Sequence, residues 1–206
     1  MGLKILLRCV RGLGDGVANM GELKKVIACL KALKIEPKLD SFESKLIVQK
    51  TVYLLDAMGL KTGYGFNFYI RGTYSPELTE EMYQNKQQIE NLANAESLTE
   101  KELELVNEFR EEMGKLDPNV LEVAAAYAYF VKECGLSAHE ATIKTKEAKP
   151  YFSEMKFVQG INRAKALIFK PSAEDLKKLR EITSPWDAAS DEDLVNFEKK
   201  HLGKGK

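Results

Sequence analysis

The stretch YGFNFYIRGTYSPELTEEMY, residues Tyr64 to Tyr83, changes its hydrophobic period halfway along, and the rest of the chain can be ordered around that change. Tyr64, Phe66, Phe68 and Ile70 alternate with Gly65, Asn67, Tyr69 and Arg71. A period of two predicts a half-buried strand over Tyr64–Arg71, the first set facing inward and the second outward. Gly72 is expected to end that strand. Ser75 then stands as an N-cap, with Pro76 at the first helical position, where a missing N–H costs nothing. Leu78, Met82 and Tyr83 continue at helical spacing. The segment therefore reads as strand, tight turn and capped helix.

On its N-terminal side, residues 21–33 read as a short amphipathic helix with Leu23, Val26, Ile27 and Leu30 on one face. Pro37 closes the linker. Asp40 or Ser41 caps a second helix running to about Met58, and Glu43 is placed for a capping box from Asp40. One face of this helix carries Ile47, Val48, Leu54, Leu55 and Met58, and another carries Phe42, Leu46 and Tyr53. Lys45, Gln49 and Asp56 form one narrow polar stripe, Glu43 and Lys50 a second. A helix apolar on two sides is sandwiched between neighbours, so this one is expected to be central.

On the C-terminal side the chain stays polar from Asn85 until SLTEKELELVNEF, where Thr99 and Glu102 predict a capping box for a helix through Met113. The acids along it read as a solvated face. Asp117-Pro118 opens VLEVAAAYAYFV (120–131), expected to be a buried helix stopping at Gly135. Ser137 with Glu140 boxes the next helix, Pro150 breaks it, and Ser153 starts another that reaches about Phe169. Ser172 with Asp175 and Ser190 with Asp193 are read as the caps of two further helices.

The expected fold class is mainly α with a small β element, a compact multi-helix domain with a winged-helix-like first half as a variant. It divides into a helix-helix-strand-helix module over 20–95, a helical module over 96–170 packed on it, and C-terminal helices and tail over 171–206. Residues 1–19 are set apart. Gly12, Gly14 and Gly16 suggest a phosphate-binding turn, but Val17 stands where the third glycine of that fingerprint belongs. Gly14-Asp15-Gly16-Val17 is what a G-rich ribosome-binding sequence would encode, so Met20 is expected as the native start.

Composition narrows the function classes. Lys+Arg and Asp+Glu are both 31, so no global field gathers polyanions. Cys9, Cys29 and Cys134 are dispersed without a C-x-x-C pair and read as reduced cysteines of a cytoplasmic protein, not as a zinc site. The 12-residue apolar run at 120–131 contains Glu122 and falls short of the roughly 20 residues needed to cross a membrane. Only His139 and His201 are histidines, the first inside the Ser137–Glu140 cap and the second in the tail. No nucleophile–base pair, metal cluster or cofactor motif stands out, so the expectation is a protein that is not an enzyme.

KLIVQKTVYLLDAMGL (Lys45–Leu60) resembles the "LQK-hydrophobic-YLL…G" helix of the YwgA-like proteins, relatives of the SocA-like antitoxins that share the Panacea domain. FYIRGTYSPEL (Phe68–Leu78) resembles that group's "Y-x-x-G-P-Y-S-P-x-L" turn, with Thr73 where proline is usual, which implies a looser turn. VLEVAAAYAYFV and KEAKPYFS (Lys146–Ser153) fall where the family has an apolar helix and a "K-P" break. The resemblance covers about Ser41 to Leu167. It implies a mainly helical fold without a catalytic centre and, by analogy with the antitoxins, a protein that binds a partner protein.

Two functions remain. A winged-helix-like DNA-binding regulator would need Arg, Lys, Asn or Gln at the start of its reading helix. The helix after Ser75 opens instead with Pro76, Glu77, Glu80 and Glu81. Lys45 and Lys50 stand about 140° apart on their helix and do not make one stripe. A protein-interaction module is the leading reading, because Tyr64, Tyr69, Tyr74 and Tyr83 crowd together with Arg71, and Tyr and Arg are over-represented in interface hot spots. Tyr69, Arg71 and Tyr74 are the candidate partner-binding residues. Gly72, Ser75 and Pro76 are expected to serve as turn and cap.

Overall fold

The computed structural model describes residues 22–170, 174, 176–184 and 193. Helix α1 spans Leu23–Ala32 and buries Val26 to Leu30. Helix α2 spans Phe42–Met58, and its N-cap is Ser41, whose hydroxyl accepts the Ser44 N–H. Asp40 forms no capping box with Glu43; its carboxylate is ion-paired with Lys86 at 2.7 Å. Gly59, in the left-handed region at φ 111°, closes α2.

The period-two stretch forms a hairpin where one strand was expected. Strand β1 (Asn67–Tyr69) pairs antiparallel with β2 (Gly72–Tyr74), with Asn67 opposite Tyr74 and Tyr69 opposite Gly72. Gly72 has φ 82°, a conformation that lets the chain reverse across Ile70 and Arg71. It starts the second strand; it does not terminate a long first one. The inward register holds as far as Phe68, whose ring lies 5.3 Å from Tyr129 and 4.9 Å from Phe130. It fails at Ile70, which was expected inward and is 95% exposed at the tip. Turn geometry overrode alternation there.

Helix α3 (Pro76–Gln84) begins as the sequence indicates, with the Ser75 hydroxyl accepting the Leu78 N–H and Pro76 in the first turn. A one-turn helix α4 (Lys86–Glu90) follows within the polar stretch and buries Ile89. Its single apolar residue left no period to detect. Helix α5 (Glu100–Met113) carries the Thr99–Glu102 capping box and buries Val106, Phe109 and Met113. Asp117 caps helix α6 (Pro118–Lys132), whose side chains are buried almost all round. Helix α7 (Ala138–Ala148) carries the Ser137–Glu140 box, and helix α8 (Glu154–Ile168) follows the break at Pro150.

Among the described residues the fold is mainly helical with a small antiparallel sheet, and its core forms around α6 and α2. Helix α6 packs on α2, α7, α8 and β2, while α2 also meets α5 and α8. Helices α6 and α8 approach closely at Gly160, where a Cβ would lie 2.6 Å from that of Val123. A second apolar cluster joins Val26, Ile27 and Leu30 of α1 to Val48 and Val52 of α2 and to Leu78, Met82 and Ile89. The chain divides into a unit ending at Ile168 and a second one from Phe169. Residues 176–184 of the second are helical.

Residues 1–19, Met20, Cys9 and His201 lie outside the described residues, and so do Ser172, Asp175 and Ser190 of the two expected caps. Cys29 is buried and free, with burial pushing its thiol up to about 12. Cys134 is disulfide-bonded, which corrects the expectation of three reduced thiols; it sits half-buried just beyond the end of α6, whereas Cys29 is enclosed in α1. Among the described residues, no helix is long and apolar enough to cross a membrane.

Candidate functional site

Gln49 and Lys50 were placed in polar stripes of α2, and both are buried. The hairpin and the start of α3 close over them and turn their polar atoms into backbone anchors. Gln49 reads the peptide groups of Ser75 from both sides. Its Nε2 donates to the Ser75 carbonyl at 3.0 Å, and its Oε1 accepts the Ser75 N–H at 3.0 Å. Nε2 also donates to Thr79 Oγ1 at 2.8 Å. Lys50, 3% exposed, donates from Nζ to the carbonyls of Arg71 at 2.9 Å and Thr73 at 2.5 Å. Arg71 lies in the two-residue loop and Thr73 in a strand paired on one side only, and buried carbonyls without ladder partners must be satisfied by other groups.

A second lysine arrives from the break between α7 and α8. Lys149, 1% exposed, donates to the Ile70 carbonyl at 3.3 Å and to Glu122 Oε1 at 2.5 Å. The Tyr151 hydroxyl donates to the same carboxylate oxygen at 3.2 Å. Glu122, 8% exposed, is the acid that interrupts the apolar run of α6. The two ammonium groups meet over Gly72. A Cβ there would lie 3.5 Å from Lys50 Nζ and 3.6 Å from Lys149 Nζ. The carbonyls of residues 70, 71 and 73 are thus all held by buried cations.

Two buried ammonium groups lie near one carboxylate, which ion-pairs with Lys149. Desolvation lowers the pKa of Lys50 to about 8; Glu122 opposes the shift and the Lys149 charge adds to it. The net of two cations and one anion is a costly arrangement that only good hydrogen bonding sustains.

Two grooves flank the hairpin tip. The first, of about 460 Å³, runs between α2, the hairpin and α3, with Phe42, Leu46, Tyr74 and Met82 in its walls. The second, of about 820 Å³, lies toward α6 and Tyr151 and is lined by Glu43, Asp117 and Glu122.

The structure brings the three candidate binding residues together on the first groove. Tyr69 is exposed and meets the ring of Tyr74 edge-on at 5.7 Å. Tyr74 is half-buried. Arg71 is exposed, with its guanidinium 4.7 Å from the centre of the Phe42 ring. Of the turn residues, Gly72 and Ser75 are buried and Pro76 is exposed. Tyr83 also lines the groove, its hydroxyl accepting from Lys45 Nζ at 2.8 Å. Tyr64 stands apart, buried, its hydroxyl donating to Glu81 at 2.7 Å.

The sequence reading missed Gln49, Lys50, Glu122 and Lys149 as members of one site. The one local signal was Glu122, a lone acid inside an apolar helix; the partners that join it come from far along the chain. His139 is exposed at the start of α7. Among the described residues, no group of three or more His, Cys, Asp or Glu is placed to hold a metal ion. Comparison of the chain with protein-family models, curated proteins and solved structures returns no match.

Proposed function

We propose that this chain is a non-catalytic protein-interaction module that binds a partner protein through the hairpin tip, in the manner that its resemblance to Panacea-type antitoxins implies. The observation that carries this reading is an exposed tip on an anchored base. Ile70, Arg71 and Tyr69 face solvent, while the carbonyls beneath them are fixed by Lys50 and Lys149. An isolated two-stranded hairpin is marginal in water. One bonded to buried side chains from α2 and the α7–α8 break presents its apolar and cationic groups with little ordering entropy left to lose on binding. DNA is disfavoured as the partner, since the chain carries no net positive charge and α3 opens with Glu77, Glu80 and Glu81.

The test is a quantitative comparison of proteins co-purifying with the tagged wild-type chain and with Ile70→Glu. Ile70 touches solvent, so the variant should keep the wild-type melting temperature. A partner retained by the wild type and lost from the variant supports the reading. Identical protein sets, or sequence-selective retardation of duplex DNA at physiological salt, would overturn it.

A further inference from the structure

The groove of about 460 Å³ has the size of a small-molecule cleft. Its walls are apolar, from Phe42, Leu46, Ile70, Tyr74 and Met82. The charged residues lining it are Lys45, Lys50 and Arg71, all basic, and no Asp or Glu is among the described lining residues. In a chain of zero net charge this is a local excess.

Lys50 is the focus of that excess. Glu122 is bonded to Lys149, so the Lys50 ammonium is met mainly by the carbonyls of Arg71 and Thr73. Two acceptors leave the third N–H of an ammonium group unused. A buried cation without its own counter-ion is costly, and an anion entering the groove would offset that cost. Apolar walls disfavour a heavily hydrated polyanion such as a phosphate ester. A single carboxylate on an apolar tail satisfies both walls and charge.

We propose that this groove binds an apolar monocarboxylate of the medium-chain fatty acid class, its tail along Phe42, Leu46 and Met82 and its carboxylate directed to Lys50. Lys45 and Arg71 draw the anion in from the rim. The site does not depend on a protein docking at the tip, although it lies directly beneath it and a bound ligand would stiffen the same hairpin.

Isothermal titration of the full chain with decanoate, decan-1-ol and butyrate tests this. Saturable 1:1 binding of decanoate is expected, at least about tenfold tighter than decanol, because the charge-assisted contact is lost with the alcohol. Butyrate, with the charge and little tail, should give no saturable heat. Lys50→Met should weaken decanoate by about tenfold or more. Arg71→Glu alters an exposed side chain, so the fold persists, and should weaken decanoate several-fold through charge reversal at the rim. Equal affinity for decanoate and decanol, no saturation with decanoate, or undiminished binding by both variants would overturn the proposal. Each of these results leaves the partner-capture experiment unaffected.

Discussion

The two grooves beside the hairpin share Phe42, Leu46, Ile70 and Arg71, yet one is lined by bases and the other mainly by acids. The difference arises from what stands behind each wall. Lys50 comes through from α2 to the first groove, whereas Glu122 comes through from α6 to the second. A neutral chain thus acquires two surfaces of opposite sign on either side of a single exposed dipeptide. Both charges belong to one buried network, so the same residues that polarise the surface also hold the hairpin down.

Glu122→Ala should break this arrangement most severely. It leaves two ammonium groups buried without an anion, and removing one partner of a buried pair typically costs about 3–5 kcal/mol. Urea unfolding would measure it. A loss well under 1 kcal/mol would mean that the second groove's acid is a surface charge with no part in the fold.

The first groove should show itself in the pH dependence of stability. Lys50 titrates near 8 when folded against an ordinary value of 10.5, through burial and the Lys149 charge, with Glu122 opposing. Between those values the unfolded chain binds more protons, so stability rises with pH across about 8 to 10.5. At about 1.4 kcal/mol per pH unit the gain is at most on the order of 3 kcal/mol. Lys50→Met should lack that rise. Parallel slopes for wild type and variant over pH 8–10 would show that Lys50 is solvated.

A smaller effect is expected at the cap. Ser75→Ala removes the hydroxyl that accepts the Leu78 N–H and should cost about 1 kcal/mol in a thermal melt. The smallest belongs to Arg71→Ala. Its guanidinium is exposed over Phe42, so stability should change by less than about 0.5 kcal/mol, while partner binding weakens by about 2 kcal/mol. A large loss of stability for Arg71→Ala would reassign it to the fold.

The helix starts at Ser75, Thr99, Asp117 and Ser137 were legible in the sequence because a cap acts within four residues. The buried run of α6 was legible because composition alone marks it. The hairpin was half legible. Alternation located its first strand, but nothing in the pattern says that Gly72 turns the chain back in place of stopping it. The network was not legible, since Lys50 reaches 21 residues to the Arg71 carbonyl and Lys149 reaches 79 to that of Ile70. A lysine on a narrow polar stripe and a lysine beside a proline look solvated until the fold brings the same glycine to both.

The central claim is that buried side chains, and not the two-stranded ladder, hold the hairpin. Amide hydrogen exchange over residues 66–76 tests it most directly, comparing the wild type with Lys149→Met. The account predicts wild-type protection at Tyr74 and Ser75 approaching that of α6, and a loss of about tenfold or more at those amides in the variant, beyond any loss in α5. Hairpin amides that exchange freely in the wild type, or that stay equally protected in Lys149→Met, would contradict it.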